Sequence, residues 1–274
     1  MPTALTHEIL VKCNVNLFGH GEQILVFAQS ITDNQNIWRH QLSEFGIHFK
    51  CLTFDFVGVG KSDMKGSDAQ RYIHIEQHLE DFLSIVERLK IQHAQFIGHG
   101  LGGNIGVLAA SQRPELFKNL HLIDMAPRYL DSDDYKGSFL KDDFEQLWQI
   151  LAQDYLSWSE VLSPNDHKEL TNHHKIEALY TSLKALRPDF AQGALRIKYD
   201  LDIRNQLKAL KIPLYLYHSL NEPVFGLWLS AYYEELLPAA KIQILNSEGR
   251  QPQLTAPDEV NNMLTKNLIL NYSL

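Results

Sequence analysis

Hydrophobic positions along the chain alternate between short continuous runs and longer stretches with helical spacing. Continuous apolar runs are typical of strands buried on both faces of a sheet. The helical stretches between them place apolar residues three and four positions apart, so that one face of each helix is apolar. This alternation predicts a mostly parallel, doubly wound α/β sheet. The predicted strands are residues 10–17, 23–28, 49–56, 95–97, 120–124, 213–217 and 241–245.

Two further expectations come from the same pattern. His20-Gly21 is predicted to be the turn of a hairpin that follows the first strand. Residues 135–200 contain no strand-like run, but helical spacing recurs in residues 144–154, 175–186 and 190–199. We therefore expect a helical lid over residues 135–200, inserted into a core made of residues 1–134 and 201–274.

Composition narrows the classes of function. The 274 residues are 45% hydrophobic and 21% charged, which suits one large domain with a substantial core. The formal net charge of −8 argues against nucleic acid as a partner, because no basic surface is available to meet phosphates. No run is long enough to span a bilayer, and the N-terminus does not resemble a signal peptide. The expected compartment is the cytoplasm, with no membrane association.

Cysteine and histidine content does not suggest a metal or a cofactor. The two cysteines, Cys13 and Cys51, are expected to be buried free thiols. The densest histidine pair, His173-His174, points in two directions if it lies on a helix, and no acid or cysteine stands at a ligand spacing from it. We expect solvated histidines there, no metal site and no cofactor.

A glycine-rich turn follows the predicted strand of residues 95–97. Its sequence is Gly98-His99-Gly100-Leu101-Gly102, and an Ala-rich helical run comes next. Strand, tight turn and helix form the setting of the G-x-S-x-G nucleophile elbow of α/β-hydrolases. Gly100 stands where the nucleophilic serine belongs.

Several segments, in order, resemble one branch of the α/β-hydrolase fold. The chain is similar to the RsbQ group of bacterial stress regulators and to the plant strigolactone and karrikin receptors, over roughly residues 14–268. The resemblance implies an α/β-hydrolase fold with a helical lid above an apolar pocket. The segments that carry it are residues 36–39, 54–63, 113–117, 126–131, 134–137 and 248–254.

The resemblance also locates the catalytic positions, and two of the three have lost their chemistry. Gly100 has no side chain that could form an acyl-enzyme. The family's Glu-Gly-His-x-Pro-Gln appears here as residues 248–253 with Arg250 in place of the histidine, and an arginine cannot act as a general base. No histidine follows His218, so none can replace it. The acid position keeps a carboxylate as Glu222.

Two points stay open from the sequence. The family's His-Gly-x-Gly oxyanion loop corresponds to Gln29-Ser30-Ile31-Thr32, whose backbone N–H groups could still serve. Arg250 either forms an ion pair with Glu222 or directs part of its guanidinium into the pocket. In the second arrangement the pocket would favour an anionic ligand, because the predicted helix that starts near Leu101 also presents a positive dipole end.

These expectations lead to three hypotheses about function. The first is a non-catalytic pseudoenzyme that binds a small apolar or anionic ligand in the old active site, with a role in signalling and a protein partner. The second is an enzyme. It is either a weak or atypical hydrolase of a small ester or lactone, with Ser30 as the serine near the site but no base predicted beside it, or a catalyst of a different reaction that uses Arg250 and Glu222. The third is a structural interaction protein with a collapsed pocket. The predicted ligand-binding residues are Gln29, Ser30, Ile31, Gly100, Leu101, Tyr129, Trp158, Glu222 and Arg250, and Gly100, Glu222 and Arg250 are also the vestigial triad positions.

Overall fold

Seven strands form a single sheet at the centre of the computed structural model, which describes residues 5–64, 69–153, 173–184 and 186–270. Their spatial order is β1-β3-β2-β4-β5-β6-β7. β1 pairs antiparallel to β3, and every other neighbouring pair is parallel. The strands are β1 (Asn16–Phe18), β2 (Ile24–Ala28), β3 (Lys50–Thr53), β4 (Ala94–His99), β5 (Phe117–Ile123), β6 (Leu214–Asn221) and β7 (Lys241–Glu248).

Helices connect the parallel strands, as crossover connections require. The described helices before β6 are α1 (Leu5–Lys12), α2 (Arg39–Phe45), α3 (Ile75–Arg88), α4 (Leu101–Gln112), α5 (Lys141–Gln153), α6 (His173–Leu183), α7 (Pro188–Asp200) and α8 (Arg204–Ala209). After β6 they are α9 (Trp228–Leu236), α10 (Pro252–Thr255) and α11 (Pro257–Leu270). Short 3₁₀ turns lie at Gln35–Trp38, Ala69–Ile73 and Pro114–Leu116.

The doubly wound α/β prediction is confirmed, and the strand order explains where a site can form. The chain runs outward from β2 to β3 and then returns to place β4 on the other side of β2. At such a reversal the loops after the two central strands diverge, and a crevice opens at their carboxyl ends. Residues 29–32 follow β2 and Gly100 follows β4, so both loops border that crevice.

The predictions for the N-terminal region were wrong in two respects. Residues 10–12 belong to helix α1, and the strand begins only at Asn16. Ile9 and Leu10 pack on the main core, where Cys13 is also buried, so the apolar spacing there was helical. His20-Gly21 does not close a hairpin of adjacent strands, because β3 lies between β1 and β2.

Residues 135–200 contain helices α5, α6 and α7, in agreement with the helical spacing of that region. The division into a core and a lid stays a prediction. Three residues expected to line the pocket from the lid, Tyr155, Trp158 and Leu162, lie outside the described residues. No helix within the described ranges is long and apolar enough to cross a membrane.

Candidate functional site

The turn between β4 and α4 keeps the geometry of a nucleophile elbow. Gly100 has φ 53° and ψ −128°, a backbone conformation that costs an L-residue on the order of 1–3 kcal/mol. Glycine adopts it freely. Gly98 is required for a different reason, since a Cβ there would lie 2.6 Å from the Gly103 Cα atom. The sequence therefore retains the residues that build the turn.

Ser30 occupies the space beside the missing nucleophile. A Cβ built on Gly100 would lie 3.4 Å from the Ser30 Cβ and 3.6 Å from its Oγ, which is ordinary contact distance. Ser30 is buried, and its Oγ accepts a hydrogen bond of 3.2 Å from the Thr32 hydroxyl. The serine of the oxyanion loop thus places a hydroxyl next to the elbow.

A small enclosed cavity of about 20 Å³ lies above Gly100. This volume corresponds to about one water molecule. The sequence predicted an apolar pocket with a few polar points, but four charged side chains line this cavity, which makes it far more polar. Its lining includes Ser30, Gly100, Asp124, Tyr129, Lys198, Glu222 and Arg250.

Glu222, at the acid position, is buried and well supplied with donors. Its Oε2 accepts hydrogen bonds from the backbone N–H groups of Val224, at 2.8 Å, and Phe225. Burial raises the pKa of this carboxyl, and the Phe225 N–H and the Arg250 charge oppose that rise. The acid thus remains held in place by the loop that follows β6.

Arg250 forms an ion pair with that acid and also contacts a helix. Its Nε lies 3.8 Å from Glu222 Oε1, and its Nη1 donates a hydrogen bond of 2.9 Å to the carbonyl oxygen of Ala178 in α6. The side chain is 25% exposed. The ion pair is the first of the two arrangements that the sequence left open.

A second acid, Asp124, lines the cavity and was missed by the sequence reasoning. It follows β5 directly and accepts hydrogen bonds of 2.7 Å from both the backbone N–H and the hydroxyl of Ser219. Burial, with a further contribution from the Glu222 charge, raises the pKa of Asp124 to about 7. The position of this residue at the carboxyl end of a predicted strand was the available signal.

Lys198 is the other missed residue. It lies on α7 and is 2% exposed, and its Nζ is 4.4 Å from the centroid of the Tyr129 ring. Burial and the Arg250 charge lower the pKa of Lys198 to about 7, against the opposing influence of Asp33 and Glu222. Residue 198 follows the buried Ala191 and Ala194 at helical intervals, and that spacing could have identified it.

The cavity adjoins an open groove of about 480 Å³, because His99 and Arg250 line both spaces. His99 Nε2 is 2.6 Å from the Arg250 carbonyl oxygen, which can only accept, so this nitrogen carries the proton. Burial and the Arg250 charge lower the pKa of His99 to about 3, and the ring is therefore neutral. The groove also borders Thr32, Asp33 and Glu177.

The remaining predicted site residues have other surroundings. Gln29 is buried and its amide donates a hydrogen bond of 2.7 Å to the Phe54 carbonyl oxygen. Ile31 and Leu101 pack in the main hydrophobic core. Neither is among the described residues that line the cavity. Trp158 lies outside the described residues. The structure thus brings Ser30, Gly100, Tyr129, Glu222 and Arg250 together.

This arrangement can bind and polarise a small molecule. Leu101 is the first residue of α4, so no helical carbonyl group precedes it to accept a hydrogen bond from its N–H. This N–H is directed toward the turn between β4 and α4. Lys198 and Arg250 add positive charge, and Asp124 and Glu222 add carboxyl groups. At the elbow position, however, no side chain offers a nucleophile.

Comparison with known proteins agrees with this architecture. The profile of the α/β hydrolase fold family matches residues 23–257. The chain is 28% identical over 256 residues to karrikin insensitive 2 receptor CA of Petunia hybrida, a match that covers 93% of this chain and 95% of the receptor. It is 28% identical over 267 residues to strigolactone esterase D14 of Arabidopsis thaliana, with 96% and 98% covered.

A solved structure gives the same result at the level of the fold. A hydrolase from Oleispira antarctica superposes with a TM-score of 0.82 at 24% identity, over 95% of this chain and 96% of that one. The resemblance to the plant receptors that the sequence motifs indicated is confirmed by the two plant relatives. By its profile match over most of its length, the chain belongs to the α/β hydrolase fold family.

Proposed function

We propose that this protein binds a small neutral molecule at the old active site, with a polar group in the cavity above Gly100, and does not hydrolyse it. The observation that carries the proposal is Gly100, which takes the strained conformation of a nucleophile position without a side chain to attack a carbonyl. An elbow without its serine cannot form the acyl-enzyme on which the family mechanism depends.

The residue at the position expected for the general base, Arg250, supports the same conclusion. Arg250 remains protonated at physiological pH and its Nε lies against Glu222, so it cannot accept a proton from a hydroxyl. His99 is neutral, but burial and the Arg250 charge lower its pKa to about 3, so its ring is too weak a base for this role. Neither residue can take over the role of the missing catalytic histidine.

Charge balance favours a neutral ligand over an anionic one. Glu222 balances much of the Arg250 charge at 3.8 Å, and Asp124 brings a second carboxyl group to the cavity. A bound carboxylate would face both of these acids as well as Lys198 and Arg250, so the four side chains together give it no net attraction. We therefore propose that the ligand has a neutral head group, rather than the anionic one that an unpaired Arg250 would favour.

Relatives support a role as a receptor, although they include an enzyme by name. One is called a karrikin insensitive receptor and the other a strigolactone esterase. We propose that the present chain shares the receptor-like use of the pocket, in the cytoplasm, and passes the bound state to a protein partner. Helices α5, α6 and α7, which lie between β5 and β6 in the described part of the chain, offer a surface whose position can depend on the ligand.

Matched small molecules test the binding proposal. Methyl butyrate and butyrate have similar apolar parts and differ in charge. We expect titration calorimetry to show that methyl butyrate binds at least as tightly as butyrate, and chromatography to recover the ester intact. Enzyme-dependent accumulation of butyrate, or no binding of either compound, would contradict the proposal.

A pair of tryptophan substitutions locates the binding site. Leu179 is buried and lines the cavity, so Leu179→Trp should fill it and abolish binding of methyl butyrate. Leu220 is 40% exposed on β6, and Leu220→Trp should bind as the wild type does. Equal binding by both variants would move the site elsewhere.

An atypical hydrolase is the second candidate, and the position of Ser30 is the observation in its favour. Its Oγ lies 3.6 Å from a Cβ built on Gly100, close to where a nucleophile is needed. Lys198 lines the same cavity and would be its general base. Ester turnover that disappears on Ser30→Ala would establish this candidate in place of the first.

A further inference from the structure

Lys198 brings a buried amine into the cavity above Gly100. The residue is 2% exposed, and its Nζ lies over the face of Tyr129 at 4.4 Å. Within the described part of the chain, the structure gives this Nζ no hydrogen bond and no close ion pair. A buried ammonium without acceptors is costly, so the site favours the neutral amine or a ligand that reacts with it.

Other sheltered lysines of this protein have acceptors. Lys12 Nζ donates to the Tyr72 hydroxyl at 2.6 Å and reaches Asp81 at 3.3 Å. Lys175 Nζ donates to the Ser138 carbonyl oxygen at 3.2 Å. Lys198 differs from both, because its amine faces a cavity and an aromatic ring.

The buried surroundings of Lys198 leave a substantial fraction of its amine unprotonated at neutral pH. Burial and Arg250 lower its pKa to about 7, while Asp33 and Glu222 favour the protonated form. An exposed lysine with a pKa near 10.4 has roughly one amine in two thousand unprotonated at pH 7. A desolvated lysine in an apolar site is the usual form of a lysine that reacts with carbonyl groups.

We propose that Lys198 captures a small aldehyde or ketone as an imine in the cavity above Gly100. This inference rests on the proposed function, because it assigns a ligand class to the same non-hydrolysing site. It adds a reversible covalent bond, which neither the vestigial triad nor the plant relatives suggest.

The reaction balances with the groups that are present. The Nζ lone pair forms a C–N bond to the carbonyl carbon, and the carbonyl π electrons move to oxygen. The two N–H protons end on that oxygen, which leaves as water and gives a C=N bond. Asp124 and Glu222 line the cavity and can relay these protons, and burial raises the pKa of Asp124 to about 7.

The size and charge of the site favour a small neutral carbonyl compound. The enclosed space of about 20 Å³ admits a carbonyl group, and the larger groove beyond His99 and Arg250 offers about 480 Å³ for the remainder of a ligand. A carbonyl compound carries no charge to oppose Asp124 and Glu222.

Reductive trapping with acetaldehyde tests the proposal. The protein is treated with acetaldehyde and cyanoborohydride at pH 7, and the modified lysines are measured by peptide mass spectrometry. Lys208, which is exposed on α8, serves as the internal reference. We expect Lys198 to be modified at least about tenfold faster than Lys208, since a substantial fraction of its amine is unprotonated at this pH.

Two variants and a pH profile complete the design. Lys198→Met should remove the fast modification, and Lys208→Met should leave it unchanged. In the wild type the rate at Lys198 should reach half its maximum near pH 7. This measurement does not depend on the folding of any variant. Modification of Lys198 no faster than that of Lys208 would overturn the proposal.

The outcome separates the two proposals of this article. If Lys198 is not trapped while methyl butyrate still binds and remains intact, the imine is refuted and the binding function stands. If methyl butyrate does not bind and Lys198 is not trapped, both are refuted. Slower trapping in the presence of methyl butyrate would support one shared cavity.

Discussion

Residue 198 carries a lysine on a face of α7 that otherwise presents small and apolar side chains to the interior. Ala191, Ala194 and Leu195 are all buried on the same helix. Apolar periodicity identifies such a face readily, but it ignores a lysine because lysines are ordinarily solvated. The charge of Lys198 therefore became visible as a site feature only in three dimensions, next to Tyr129 and Arg250.

Replacement of Lys198 should change how stability depends on pH. The folded-state pKa is about 7 and lies below the unfolded value of roughly 10.4, so the unfolded chain binds more protons between these values. The wild type should gain stability as the pH rises through this window, at up to about 1.4 kcal/mol per pH unit. Below pH 7 the cost of the buried charge is fully present.

We expect Lys198→Met to lose this gain. Its free energy of unfolding in urea, relative to the wild type, should therefore fall as the pH rises from 7 to 10. The matched control is Lys208→Met, whose curve should run parallel to that of the wild type. Parallel curves for Lys198→Met would contradict the buried, deprotonated state of this amine.

At the scale of elements, Arg250 connects the loop after β7 with α6. Its Nη1 donates to the Ala178 carbonyl oxygen, and its Nε faces Glu222 at the end of β6. A hydrogen bond from a charged donor contributes about 1.5–3 kcal/mol. Arg250 thus links the loops after β6 and β7 with α6, around the cavity.

Substitution of Arg250 should loosen α6. In Arg250→Met, backbone amides of His173–Leu183 should exchange with deuterium about tenfold faster, because the link to Ala178 is lost. Arg196→Met removes an exposed ion pair with Asp200 on α7 and should leave exchange in α6 unchanged. Unchanged exchange in Arg250→Met would show that this link does not hold the helix.

The elements themselves were predicted unevenly from the sequence. Interior strands such as β2 and β6 were found, since continuous apolar runs mark strands buried on both faces. The first helix was mistaken for a strand because the window of residues 10–17 spans the end of α1 and all but the last residue of β1. Pairing of β1 with β3 depends on the assembled sheet and could not be read from local sequence.

At the scale of the whole molecule, the strand order determines where the site lies. The reversal between β3-β2 and β4-β5 brings Ser30 and Gly100 to one crevice, although 70 residues separate them in the sequence. Motif comparison located Gly100, Glu222 and Arg250 in advance. It could not locate Asp124 or Lys198, because these residues have no counterpart in the catalytic motifs and enter the cavity from β5 and α7.

Hydrolysis of 4-nitrophenyl acetate tests the central claim most directly. With neither a nucleophile at position 100 nor a free general base at 250, the wild type should release nitrophenolate in the steady state, after any single acylation of the Lys198 amine, no faster than buffer with an equal mass of unfolded protein. The double variant Gly100→Ser/Arg250→His restores both groups beside Glu222 and serves as the reference for detectable turnover. Turnover by the wild type above background, lost on Ser30→Ala, would contradict the account.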